Sequence, residues 1–65
     1  MQPHQQRVVD ERAELIERGE KLRAFMLSDA AKTLPADEQD RLTRQYRVMV
    51  QYGVILRERI EAFKD

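Results

Sequence analysis

The chain has 65 residues and no cysteine, and its twelve basic side chains balance twelve acidic ones. This balance leaves no overall field to attract DNA or an anionic membrane, and the lack of cysteine excludes disulfides and thiolate metal sites. A domain of this size buries only about 60% of its unfolded surface, so we expect a single domain, residues 1–65, that gains stability by associating with other copies.

The first predicted element is a helix from about residue 5 to residue 27. Apolar and small residues recur at helical spacing on one of its faces. Acidic residues lie toward its start and basic residues toward its end, an order that complements the helix dipole. The face that would pack against a second helix consists of Val8, Arg12, Leu15, Gly19, Leu22 and Met26.

A break is predicted at residues 28–34, after which Pro35 fits the first turn of a second helix extending to about residue 63. This helix carries the strongest pattern in the chain, a heptad stripe with spacings of 4, 3, 4, 3, 4 and 3. The short connection favours an antiparallel hairpin, in which Leu15 would align with Met49. The stripe consists of Leu42, Tyr46, Met49, Gly53, Leu56, Ile60 and Phe63.

The middle of the second helix is apolar around most of its circumference, beyond what the stripe explains. Such a helix is normally buried on several sides, and one companion helix cannot cover it. We therefore predict an all-α hairpin that forms a homo-oligomer, in which a charged residue at Ile55 or Leu56 would dissociate the assembly and expose or unfold the hairpin. The additional apolar residues are Val48, Tyr52 and Ile55 on one side and Val50 and Val54 on the other.

Both glycines, Gly19 and Gly53, lie within the packing faces of the predicted helices. Each lowers helix stability by about 1 kcal/mol relative to alanine. One interpretation is close approach of the neighbouring helix. The other is that a ligand or a second subunit occupies the space where a side chain would stand. The two interpretations are compatible in an oligomer whose ligand lies between subunits.

The sequence contains no phosphate-binding glycine loop, no HExxH or CxxC motif, and a single serine, Ser28. We therefore expect no enzymatic activity, no catalytic residue, no metal site and no cofactor. No segment approaches the roughly 20 apolar residues of a membrane span, and the N-terminus lacks the apolar region of a signal peptide. The expected location is the cytoplasm, with no membrane association.

Nine of the twelve basic residues are arginine, whose planar guanidinium suits bidentate contacts with phosphate. In an antiparallel hairpin, Arg7 and either Arg57 or Arg59 would converge at the open end, beside the rings of His4, Tyr52 and Phe63. Such a grouping suits a nucleotide, whereas ordinary ion pairs on the helix surface are the alternative. The candidate ligand-binding residues are His4, Arg7, Arg18, Lys21, Arg57 and Arg59.

Nearly the whole chain resembles a widespread group of very short phage and prophage proteins. Some of these are anti-CBASS sponges, which bind the cyclic oligonucleotide messengers of a bacterial anti-phage defence without degrading them. The resemblance is carried by residues 3–11, the pairs Glu14-Leu15 and Lys21-Leu22, Phe25, residues 34–39, Gln45, Met49, Tyr52, Leu56 and the pair Arg59-Ile60.

The resemblance implies a homo-hexamer of helical hairpins, each with a short N-terminal helix or extension. It also implies binding of cyclic dinucleotides between protomers and, in some members, of cyclic trinucleotides at separate sites. His4 stands where the group often has tyrosine, Arg18 stands where it has lysine, and Arg59 matches a basic position near the ligand.

The resulting hypothesis is a phage anti-defence protein that sequesters cyclic nucleotides in the cytoplasm of the infected bacterial host. A small oligomeric interaction protein is the alternative. It would bind a host or phage protein through the apolar surface of residues 48–56.

Overall fold

The computed structural model of the chain describes residues 1–64, which form three helices and no strand. They are α1, Pro3–Met26; α2, Asp29–Lys32; and α3, Ala36–Glu61. The predicted all-α fold is confirmed, and the two long helices begin and end close to the predicted residues. Within the described residues, no helix combines the length and apolar character that crossing a membrane requires.

The separate N-terminal helix that the family resemblance implied does not form, because α1 itself begins at Pro3. Proline suits the first helical position, where a backbone N–H would have no partner within the helix. The Gln5 side chain is buried, and its Oε1 accepts a hydrogen bond from the Gln2 backbone N–H at 2.8 Å. This contact satisfies a backbone donor at the start of the helix.

The connection between the long helices contains the short helix α2, where the sequence predicted only a break. Ser28 caps α2, since its Oγ accepts a hydrogen bond from the Ala31 N–H at 3.3 Å. Ala31 is buried, and Gln39 donates from its side-chain nitrogen to the Leu34 carbonyl at 2.8 Å. These contacts attach the connection to the start of α3.

The two long helices pack antiparallel along one stripe each. Val8 and Leu15 of α1 are buried against Leu56 of α3, whose side chain is 0% exposed. Three further side chains that are partly buried, those of Met49, Ile60 and Phe63, pack against this cluster. The heptad stripe predicted from sequence is therefore the hairpin's own packing face.

The glycines set the alignment of the two helices. A Cβ built on Gly19 would lie 3.9 Å from the Met49 Cε, and one on Gly53 would lie 3.9 Å from the Leu15 Cδ2. Leu15 is thus level with Gly53, about one turn away from its predicted alignment with Met49, because each long side chain packs beside the opposite glycine. A separation of 3.9 Å is ordinary contact, so alanine would fit at both positions.

Several large apolar side chains of α3 are left exposed by this packing. Val48 is 63% exposed and Ile55 is 54% exposed, and Tyr52 lies between them on the same side of the helix. We call these three residues the ridge. Leu56 fills the interior of the hairpin, so a charged residue there would act by unfolding the hairpin, whereas Ile55 remains available to a second copy.

Candidate functional site

Four of the six candidate ligand-binding residues lie along one side of α1. Arg7, Arg18 and Lys21 belong to a stripe that also contains Glu11 and Glu14, with spacings of 4, 3, 4 and 3. Residues at this spacing share a helix face. His4 lies one turn before Arg7 and is exposed, as the three basic residues are. We call His4, Arg7, Arg18 and Lys21 together the cationic stripe.

The cationic stripe is too long to act as one binding site. Arg7 and Arg18 are separated by eleven residues, which corresponds to about 16 Å along a helix. The acidic side chains of Glu11 and Glu14 lie between them. The stripe therefore provides two cationic groups: Arg7, beside the His4 ring, near the open end of the hairpin, and Arg18 with Lys21 in the half of α1 nearer the connection.

The two candidate arginines of α3 face different sides of the molecule. They are two residues apart, which places them about 200° apart around the helix. Arg59 continues the ridge, since it follows Ile55 by four residues, whereas Arg57 follows Val54 by three residues on another side. The structure therefore does not bring Arg57 and Arg59 together.

A groove between α1 and α3 shows on which side of the hairpin these basic residues lie. Ile16 and Glu20 of α1 and Val50 and Val54 of α3 line this groove, so Arg57 belongs to the groove side of α3. Arg18 is two residues from both Ile16 and Glu20, so the cationic stripe faces away from the groove.

Arg59 lies on the same face of the hairpin as the cationic stripe and at the level of its first group. Arg59 is six residues beyond Gly53, and Gly53 is level with Leu15, so antiparallel packing places Arg59 level with about residue 9 of α1. Arg7 is close to that level. The predicted convergence at the open end therefore concerns Arg7 and Arg59.

Ion pairing leaves much of this cationic charge free. Lys21 pairs with Glu17 at 3.3 Å and Arg57 with Glu61 at 3.5 Å, and all four side chains are more than half exposed. Exposed pairs of this kind contribute only about 0–1 kcal/mol, so a ligand could displace them. Arg7, Arg18, Arg59 and His4 form no ion pair with any of residues 1–64.

The aromatic side chains are divided between the core and the surface. Phe63 is partly buried and packs against the buried cluster of Val8, Leu15 and Leu56, as its place on the heptad stripe predicts. Tyr52 remains 41% exposed on the ridge. Tyr52 and His4 are the rings of the predicted aromatic set that a ligand could reach.

Residues 2–62 match the Sequestin family. The chain belongs to the Sequestin family. No curated protein and no solved structure matches it. The name of the family denotes sequestration, in agreement with the sponge-type resemblance of the sequence, and it does not specify the ligand.

Sequence reasoning missed one polar contact that the structure of this Sequestin chain contains. Arg12 lies at the edge of the groove, where its Nε donates a hydrogen bond to the Gly53 carbonyl at 3.3 Å. Because Gly53 has no side chain, its backbone is accessible to a residue of the facing helix. An arginine within an apolar face, opposite a glycine, was the signal in the sequence.

Proposed function

We propose that the protein binds cyclic di- and trinucleotide second messengers and retains them without cleavage, as an anti-CBASS sponge. It would act in the cytoplasm of an infected bacterial host. The observation that carries the proposal is the cationic stripe, together with Arg59, on one face of a chain whose family is named for sequestration.

The chemistry of this face suits a cyclic oligonucleotide. Such a ligand presents at least two phosphates and two bases in one ring. Arg7 and Arg59 offer guanidinium groups that form no ion pair with residues 1–64, and these can make charge-assisted hydrogen bonds to phosphate. The exposed rings of His4 and Tyr52 offer surfaces on which a base can stack.

Binding between copies of the chain is part of the proposal. Arg18 lies about 16 Å along α1 from Arg7, and Arg59 is level with the start of α1 near Arg7, so a compact ligand that contacts both Arg18 and Arg59 would take them from two copies. The assembly we propose is therefore a homo-oligomer, with the hexamer implied by the family resemblance as its expected size.

Calorimetry with a panel of cyclic di- and trinucleotides tests the proposal. We expect Arg59→Ala and Arg18→Ala each to weaken binding by about 1.5–3 kcal/mol, or about 10- to 150-fold, as is typical of hydrogen bonds to charged groups. Arg47→Ala is the matched control, because Arg47 is exposed on the outer side of α3 and belongs to none of the candidate surfaces. It should change the affinity by less than about 3-fold.

Native mass spectrometry with the same panel would report assembly and ligand together. The bound nucleotide should be recovered unchanged when the protein is denatured. A hydrolysed product would argue for an enzyme, and the absence of heat with every nucleotide would refute the sponge.

An interaction protein remains the second candidate, and the exposed ridge is the observation that favours it. Val48 and Ile55 are more than half exposed, which is typical of a surface that a partner protein covers. This candidate would be supported if the wild type binds a host or phage protein and no nucleotide, and if the Ile55→Glu variant no longer binds that protein.

A further inference from the structure

The hairpin exposes more surface than a monomer of its mass normally does. Its accessible surface is 5229 Å², and it is a rod of 50 × 15 × 13 Å. The surface expected for a folded monomer of 7.7 kDa is about 4,300 Å². The excess is about 900 Å², close to the roughly 800 Å² that each partner buries in a stable protein interface. The hairpin therefore has enough additional surface for one contact with another protein.

One part of this surface is concave. The groove between α1 and α3 has a volume of about 310 Å³ and is lined mainly by apolar side chains. Gly19 and Gly53 line it, although alanine would fit at both positions within the hairpin. Inside the hairpin, Gly19 faces Met49, and Gly53 leaves its carbonyl open to Arg12. The same space is open on its outer side, where a group of another chain can enter the groove.

A second part of the surface is convex. The ridge residues Val48, Tyr52 and Ile55 extend over about 10 Å of helix length. The stretch of α1 along the groove, from Arg12 to Glu20, extends over about 12 Å. The ridge and the groove thus match in length and in apolar character, and they lie on different sides of α3.

We infer that the ridge of one copy docks in the groove of the next copy. This is a heterologous contact, in which two different surfaces meet, and repetition of such a contact closes into a ring when the rotation between copies allows it. The inference rests on the homo-oligomer included in the proposed function, and it adds which surfaces form that oligomer.

This contact places a candidate ligand-binding residue at the border between copies. Arg59 follows Ile55 by one turn, so docking of the ridge brings Arg59 to the end of the neighbouring groove. Arg12 and Glu20 lie at the two ends of that groove. A nucleotide bound beside Arg59 would therefore also lie next to the neighbouring copy.

Two adjacent residues allow a matched test. Ile55→Glu places a charge on the ridge and Val54→Glu places the same charge in the groove, and both side chains are exposed in the hairpin. Each variant alone should sediment at the 7.7 kDa mass of one chain. An equimolar mixture should form a heterodimer of twice that mass, because one variant keeps an intact groove and the other an intact ridge.

Three controls keep the result interpretable. Far-UV circular dichroism should show both variants as helical as the wild type, and Ile55→Lys with Val54→Lys repeats the experiment with the opposite charge. Gln51→Glu, on the exposed outer side of α3, should leave the wild-type assembly unchanged.

Each other outcome overturns the inference. A mixture that stays monomeric, or assembly of either folded variant alone, would indicate a contact between identical surfaces. A monomeric wild type would exclude self-association, and the ridge would then belong to a different protein. Because these measurements contain no nucleotide, failure of the ridge-and-groove contact is distinguishable from failure of nucleotide binding.

Discussion

Leu56 and Ile55 are neighbours in α3 with opposite environments. Leu56 is 0% exposed between the two long helices, whereas Ile55 is 54% exposed on the ridge. Both are large aliphatic residues, and the difference arises from the 100° that separates consecutive residues of a helix. The comparison shows that the hairpin buries only one stripe of a helix that is apolar on several sides.

Truncation of these two side chains should give the largest contrast. We expect Leu56→Ala to lower the free energy of unfolding of the hairpin by about 2–5 kcal/mol, because it leaves a cavity in the core. Ile55→Ala should change it by less than about 0.5 kcal/mol. Urea denaturation followed by circular dichroism measures both effects, in a Val54→Glu background that removes any contribution of assembly. Equal effects would show that the ridge is packed within the hairpin.

Alanine at the glycines sharpens the comparison in the opposite direction. In the same monomeric background, Gly53→Ala and Gly19→Ala should each raise the free energy of unfolding by about 1 kcal/mol, since alanine fits both sites and has the higher helix propensity. In the wild-type background, the same substitutions should weaken assembly, because the added methyl groups occupy the groove. Stabilisation without any change in sedimentation would show that nothing enters the groove.

An effect of similar size is expected at Arg12. Arg12→Met keeps a long aliphatic side chain and removes the hydrogen bond from Nε to the Gly53 carbonyl. We expect it to lower the free energy of unfolding by about 0.5–1.5 kcal/mol. Arg23→Met, further along α1, is the control and should stay within about 0.5 kcal/mol of the parent. If the two variants are equally stable, the Arg12 contact does not contribute to the fold.

The two long helices could be predicted from sequence because their apolar periodicity extends over many turns. The helix α2 could not, since its four residues are too few to show a period. Ser28 was a visible capping residue, yet a serine in a polar segment fits a turn equally well. The alignment of Leu15 with Gly53 also required the structure, because it depends on how side chains pack beside the glycines.

The candidate site was predictable where helix geometry decides it. The separation of Arg57 from Arg59 follows from their spacing of two residues, and the shared face of Arg7 and Arg18 follows from the heptad. The packing of Phe63 was also predictable, because Phe63 lies on the heptad stripe of the second helix. The contact of Arg12 with the Gly53 carbonyl depends on tertiary packing and could not be derived from the pattern of one helix.

The connection between Met26 and Ala36 also has a kinetic consequence. It is short and joins two helices whose own hydrogen bonds are local, so little chain entropy is lost when α1 meets α3. Helical proteins with local contacts fold within microseconds to milliseconds. Encounters between copies are bimolecular and slow down as the protein is diluted. At low concentration, each newly made chain should therefore become a finished hairpin long before it meets another.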